Sequence, residues 1–241
     1  MTFCNAILPR FWPQNLTESP ALPPALIFDL DGTLADTAPD LLGATNAVLA
    51  AKGRPLLDLG HLRHMVGFGA RALIAQAMEA SGAPVTEADM PPLVDIFIAH
   101  YTAHIADGSR LFPGVAETLA SLKAGGARLA VLTNKPQSLT DLLLPALGLD
   151  GMFAATYGAG RKAYTKPDPR IFHDVVEDCG GGPAVMIGDS ITDLNTARAA
   201  NAPCILVSYG FTPVPARELG ADLVLDDFAQ LPGALRDLKL L

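Results

Sequence analysis

The sequence predicts an α/β protein: a doubly wound, mostly parallel sheet with an α-helical cap inserted after its first strand. Three observations predict it. Short, unbroken apolar runs recur along the chain, as suits strands covered on both faces. Longer segments with helical spacing alternate with these runs. One stretch, from about 38 to 108, carries helical patterning alone.

The strand candidates are "ALIFD" at 25–29, "RLAVLT" at 128–133, "FAATY" at 153–157, "AVMIG" at 184–188, "CILVS" at 204–208 and "DLVL" at 222–225. Helix candidates separate them at 114–124, 137–147, 169–179, 192–200 and 228–238. Pro113, Pro136 and Pro169 stand at helix starts, where a missing N–H costs little. Gly125, Gly148 and Gly180 stand at helix ends. This alternation is that of a Rossmann-like core. In the insertion, "PDLLGATNAVLAAKG", "GHLRHMV", "ARALIAQAMEASG" and "EADMPPLVDIFIAHYTAHIADG" read as amphipathic helices. The expected division is a poorly ordered extension at 1–24, a core at 25–37 and 109–241, and a helical cap at 38–108.

Composition narrows the function classes. Half of the 241 residues are hydrophobic and 17% are charged, enough for a core and unlike a disordered chain. The net charge of -8, without clusters of Lys and Arg, argues against nucleic acid. No run reaches the ~18 apolar residues of a membrane helix. The N-terminus lacks the basic start and apolar block of a signal peptide, so the expected compartment is cytoplasmic. Cys4, Cys179 and Cys204 are far apart and form no C-x-x-C, which speaks against a disulfide framework or a cysteine zinc site. "GFGARA" and "GAGRKA" match a dinucleotide-binding glycine pattern, but neither sits between a strand and a helix.

Ligands of open α/β sheets bind beyond the carboxyl ends of the strands. The polar residues at those ends therefore matter most. The first run ends in Asp29 and Asp31, two like charges with one residue between them. The second ends in Thr133-Asn134-Lys135, and the fourth runs into Asp189 and Asp193. Lys166, in "TKPDP", precedes a helix. Clustered carboxylates favour a hard cation, magnesium above all. A hydroxyl, amides and an ammonium favour an anion. Together they suit phosphoryl transfer to or from a small phosphorylated metabolite. Simpler readings stand beside this one. Asp31-Gly32 makes an ordinary turn, Thr133-Asn134 can cap a helix, and Lys135 and Lys162 rival Lys166.

"DLDGTLADT", "LTNK", "KPDP" and "GDSITD", in this order around a helical insertion, resemble the four motifs of the haloacid-dehalogenase superfamily. The resemblance implies that Asp29 is the nucleophile and forms an aspartyl-phosphate. It implies that Asp31 is the general acid, then the base that activates water. Thr133 and the Asn134 amide would hold phosphoryl oxygens, and Lys166 would neutralise charge. Asp189, the Asp29 carboxylate and the Asp31 main-chain carbonyl would bind magnesium, with Asp193 as a ligand or as the support of one.

"DTAPDLLGATN" and "HMVGFGARALI" resemble phosphoglycolate phosphatases. The implied substrate is 2-phosphoglycolate, its carboxylate met by amides near Gly67 and Gly69 and by Arg71. An exposed helix charge is the plain alternative for Arg71. Sugar phosphates, nucleotides, pyrophosphate and N-acetylmuramate 6-phosphate are rival substrates. A non-catalytic phosphate- or partner-binding protein is the rival class. The expected state is monomer or homodimer.

Overall fold

A computed structural model describes residues 22–240. Cys4 and most of the expected N-terminal extension lie outside them. Six strands form one parallel sheet in the order β5-β4-β1-β6-β7-β8. They are β1 (Ala25–Phe28), β4 (Arg128–Pro136), β5 (Ala155–Ala159), β6 (Ala184–Gly188), β7 (Cys204–Val207) and β8 (Leu223–Leu225). β1 lies at the centre, with Ala25 opposite both Arg128 and Ala184.

The unbroken apolar runs are explained by layers on both faces. Leu26, Phe28, Leu129, Val131, Val185, Ile187, Ile205 and Val207 point to one face. There they meet α5 (Val115–Ala124), α6 (Gln137–Ala146) and α9 (Leu231–Asp237). Ile27, Ala130, Leu132, Met186 and Leu206 alternate to the other face, against α7 (Pro169–Asp178) and α8 (Ile191–Ala199). Phe28 is fully buried. Burying such a side chain contributes about 2 kcal/mol.

Four helices lie between β1 and α5: α1 (Ala38–Ala51), α2 (Leu59–Arg63), α3 (Ala70–Ala80) and α4 (Met90–Ala103). They share an apolar core built on Leu41, Val48, Leu73, Ile74, Leu93 and Phe97, which Leu139 and Phe211 of the α/β layer join. No helix among the described residues is long and apolar enough to cross a membrane.

Two departures from the sequence expectation bear on the site. The chain enters and leaves the helical unit through a small antiparallel pair, β2 (Ala35–Asp36) and β3 (Arg110–Leu111). Two-residue strands are too short for periodicity to reveal. The Asp40 carboxylate ties the returning linker to α1, accepting from the Gly108 and Ser109 amides at 2.8 Å each and from the Ser109 hydroxyl at 2.6 Å. Second, β4 continues to Pro136 with a shift of register after Leu132. Such an irregularity re-aims side chains, and here it falls on Thr133-Asn134-Lys135.

Candidate active site

The chain runs from β1 to β4 and β5 on one side, then crosses to β6 on the other. The resulting crevice opens beside the carboxyl end of β1, the position favoured for ligands in such sheets. Asp29 stands at its floor, buried and one residue beyond β1. Its Oδ1 accepts from the Leu30 amide at 2.7 Å and pairs with the Lys166 ammonium at 3.0 Å. Lys166 also donates to Asp193 Oδ1 at 2.6 Å. The other Asp193 oxygen accepts from the Asp189 amide at 3.2 Å, the Ser190 amide at 3.1 Å and the Ser190 hydroxyl at 2.8 Å. Asp193 thereby secures the start of α8 and aims Lys166 at Asp29.

Asp189 is held just as firmly. Its Oδ1 accepts from the Thr33 hydroxyl at 3.2 Å and its Oδ2 from the Phe211 amide at 2.7 Å. Gly32, at φ 84°, turns the chain close beneath it, and a Cβ there would lie 2.5 Å from Asp189 Oδ2. Oxygens of Asp29, Asp189 and Asp193 lie within 4.8 Å of one another, and all three residues are buried.

One ammonium does not balance three buried carboxylates. Burial pushes the Asp29 carboxyl up to about 6 against the pull of Lys166, with the charges of Asp193 and Asp31 adding to the rise. Burial, then the Asp193 and Asp29 charges, drive Asp189 well above the ordinary carboxylate range. Burial works to lower the Lys166 ammonium, but Asp193 and Asp29 outweigh it and hold it above its usual value. Uncompensated buried charge of this kind is costly. A divalent cation among hard oxygen donors would relieve it, so these residues fit magnesium.

Asp31 stands apart from this cluster. Its Oδ1 accepts from the Thr37 hydroxyl at 2.7 Å and the Lys135 ammonium at 3.0 Å. Lys135 also donates to Tyr101 Oη of α4 at 2.6 Å and lies 4.1 Å from the centre of that ring. Of the three candidate lysines, Lys166 reaches Asp29 and Lys135 reaches Asp31, while Lys162 is exposed and pairs with Asp174 at 2.9 Å.

A cavity opens over Asp29 and Asp31. Thr133, Asn134 and Lys135 line one wall, and Gly67, Gly69 and Tyr101 line the wall built by the helical unit. The Asn134 side-chain amide donates to the Lys166 carbonyl at 3.2 Å and the Gly67 carbonyl at 3.4 Å. It joins three of the converging segments. The Thr133 hydroxyl accepts from the Lys135 amide at 3.2 Å.

Arg71 is the exception among the sequence candidates. It does not line the cavity. Its guanidinium pairs with Glu87 at 2.5 Å on an exposed face. The α3 helix turns it outward while Gly69 and Ala70 face in, so the proximity of Arg71 to the glycines in sequence does not become proximity to the site. Conversely, sequence reasoning passed over Thr33, Thr37 and Tyr101, and treated Lys135 only as a rival. Nothing in the pattern of "LTNK" or "GTLADT" reveals which side chain meets which. Tyr101 lies in a helical stretch with no local polar signature.

The comparisons agree with this geometry. A family model described as haloacid dehalogenase-like hydrolase matches residues 23–201. The chain is 48% identical to a phosphoglycolate phosphatase of Caulobacter vibrioides, over 87% of this chain and 89% of the relative. It is 45% identical to one of Agrobacterium fabrum, over 91% and 95%. The structure of a predicted phosphoglycolate phosphatase from Haemophilus somnus superposes with a TM-score of 0.82 at 31% identity, over 87% and 96%. CbbY of Rhodobacter sphaeroides, solved as a mutant with xylulose-(1,5)-bisphosphate, gives a TM-score of 0.74 at 27% identity, over 87% and 96%. The chain is an enzyme and belongs to the haloacid dehalogenase-like hydrolase family.

Proposed function

We propose that this enzyme is a magnesium-dependent phosphatase that converts 2-phosphoglycolate into glycolate and phosphate through an aspartyl-phosphate on Asp29. The observation that carries the reading is the Asp29–Lys166–Asp193 arrangement, 3.0 and 2.6 Å, with Asp189 beside it and Asp29 lining the cavity. It keeps one carboxylate oxygen of Asp29 engaged. The other accepts from no described residue and is available to attack.

In the first step Asp29 Oδ2 bonds to phosphorus and the bond from phosphorus to the glycolate oxygen breaks. Asp31 gives that oxygen a proton. In the second step Asp31 takes a proton from water, whose oxygen displaces Asp29 from phosphorus. Thr133 and the main-chain amide of Asn134 hold the phosphoryl oxygens, and Lys166 offsets their charge. Magnesium, when bound by Asp29, Asp189 and the Asp31 carbonyl, supplies the positive charge that lets a phosphate approach an acidic site. Asp193 serves best as the support of Lys166 and α8, because both its oxygens are engaged. The helical unit at 38–108 acts as a cap that closes the cavity and excludes water.

Choice of phosphoglycolate follows the 48% and 45% identical relatives that carry that name. A sugar phosphate is the second reading, favoured by the CbbY complex. Phosphate release, measured with and without magnesium on 2-phosphoglycolate, sugar phosphates, nucleotides, pyrophosphate and N-acetylmuramate 6-phosphate, decides between them. The highest kcat/KM is expected for 2-phosphoglycolate. A higher value for another ester moves the substrate, and no release from any of them overturns the phosphatase reading.

A further inference from the structure

Gly67 and Gly69 line the cavity, but Arg71, the cation expected to meet the substrate's carboxylate, points away. We infer that Lys135, held in place by the Tyr101 hydroxyl, receives that carboxylate and sets the specificity of the site. The inference rests on the phosphoglycolate reading.

Chemistry confines where the carboxylate can lie. In 2-phosphoglycolate the carboxylate is bonded to the same methylene as the leaving oxygen. Asp31 must come within hydrogen-bond reach of that oxygen to protonate it. The carboxylate therefore sits beside Asp31, and the cation beside Asp31 is Lys135, at 3.0 Å. Lys135 is also the only cationic side chain among the described residues lining the cavity. Leu41, Val66, Leu73, Phe97 and Leu139 make up much of the remaining wall and offer an anion nothing.

The Lys135 ammonium suits the task. It is almost wholly buried, with 1% of its side chain exposed, so an ion pair formed there is shielded from water. An ammonium has three N–H donors. Asp31 and Tyr101 take two, at 3.0 and 2.6 Å, and no other described side chain accepts from it. The Tyr101 hydroxyl accepts from Lys135, lies beside the Thr37 and Ser109 hydroxyls, and so holds the ammonium in place. Because Tyr101 belongs to α4, the pair spans the junction of core and helical unit, and a bound carboxylate would bridge the two.

The test compares 2-phosphoglycolate with ethyl phosphate, which replaces the carboxylate by a methyl group. Loss of Lys135 also disturbs Asp31, so the ratio of the two kcat/KM values is the readout. Lys135→Met should lower that ratio about 100-fold, largely through KM for phosphoglycolate. Tyr101→Phe, which removes one hydroxyl and keeps the ring, should lower it about fivefold. Lys135→Arg retains the charge and should recover part of the ratio. Inhibition of the same variants by phosphonoacetate relative to ethylphosphonate reports the contact without turnover and should fall in parallel. A wild-type preference that survives both Lys135→Met and Tyr101→Phe overturns the Lys135 assignment alone. A wild-type enzyme with no preference for phosphoglycolate overturns the substrate reading, and this inference with it.

Discussion

Two lysine–aspartate pairs, each with a buried lysine, serve this site, and they are built differently. Lys166 joins Asp29 and Asp193, all three carried by the α/β layer at the edge of one sheet. Lys135 joins Asp31 to Tyr101, and Tyr101 comes from α4 of the helical unit. Asp29 follows β1, Lys166 lies in the loop before α7 and Asp193 is on α8, so the first pair is fixed within the α/β layer. In the second, Lys135 is on β4, and its contact with Tyr101 depends on how the helices sit over the sheet. The contrast separates a part suited to invariant chemistry from a part suited to sensing what lies in the cavity.

The largest expected effect falls on the first pair. Asp29→Asn should lower kcat by about 10⁴-fold or more, since it removes the attacking oxygen. Fold should survive, because the change also removes an uncompensated buried charge. Phosphate release and thermal unfolding measured together check both halves. A variant retaining a tenth of wild-type activity would remove Asp29 from the chemistry.

Lys166→Met comes next. It should cost about 10³-fold in kcat and, by leaving Asp29 and Asp193 unpaired in a buried site, about 3 kcal/mol of stability. Urea unfolding without magnesium measures the second figure. A Lys166→Met protein as stable as wild type would mean that these carboxylates do not need the ammonium.

Charge imbalance in the first pair also predicts a pH effect. The Asp29 carboxyl is raised from 3.8 to about 6 in the folded protein, burial being the main cause. The folded state then binds more protons than the unfolded state across that window. Stability from this group is fully present below 3.8 and is lost as pH rises through about 6. Magnesium should reverse the loss, raising Tm more at pH 8 than at pH 5, where protons must first leave. Equal magnesium-induced shifts at both pH values would contradict this account.

The smallest effect is expected outside both pairs. Arg71→Ala should leave KM for phosphoglycolate within about twofold of wild type, because the Arg71–Glu87 pair is exposed and such pairs contribute little. A large rise in KM would show that the helical unit rearranges to bring Arg71 inward.

Much of the core could be read from the chain itself. Apolar runs such as "ALIF" and "AVMIG" became buried parallel strands, because a strand covered on both faces has no polar side to display. The β5 strand lies two residues later than expected, at Ala155–Ala159. The C-terminal helix is split into a 3₁₀ turn at Phe228–Gln230 and α9. The small pair of β2 and β3 left no trace in the pattern. Segment ends are set by capping contacts and neighbours, which local periodicity does not report.

For the candidate site, sequence alone offered the residues that the fold brings together: Asp29, Asp31, Thr133, Asn134, Lys166, Asp189 and Asp193, each near a strand end or the start of a helix. The reason is that a strand's carboxyl end faces the crevice wherever the sheet is wound in this way. Tertiary structure alone decided the partners. It gave Lys166 to Asp29 and Lys135 to Asp31, brought Tyr101 to Lys135 from 34 positions away, and turned Arg71 toward Glu87. Pairing depends on distances between side chains from separate segments, and those distances do not exist until the sheet and the helices have packed.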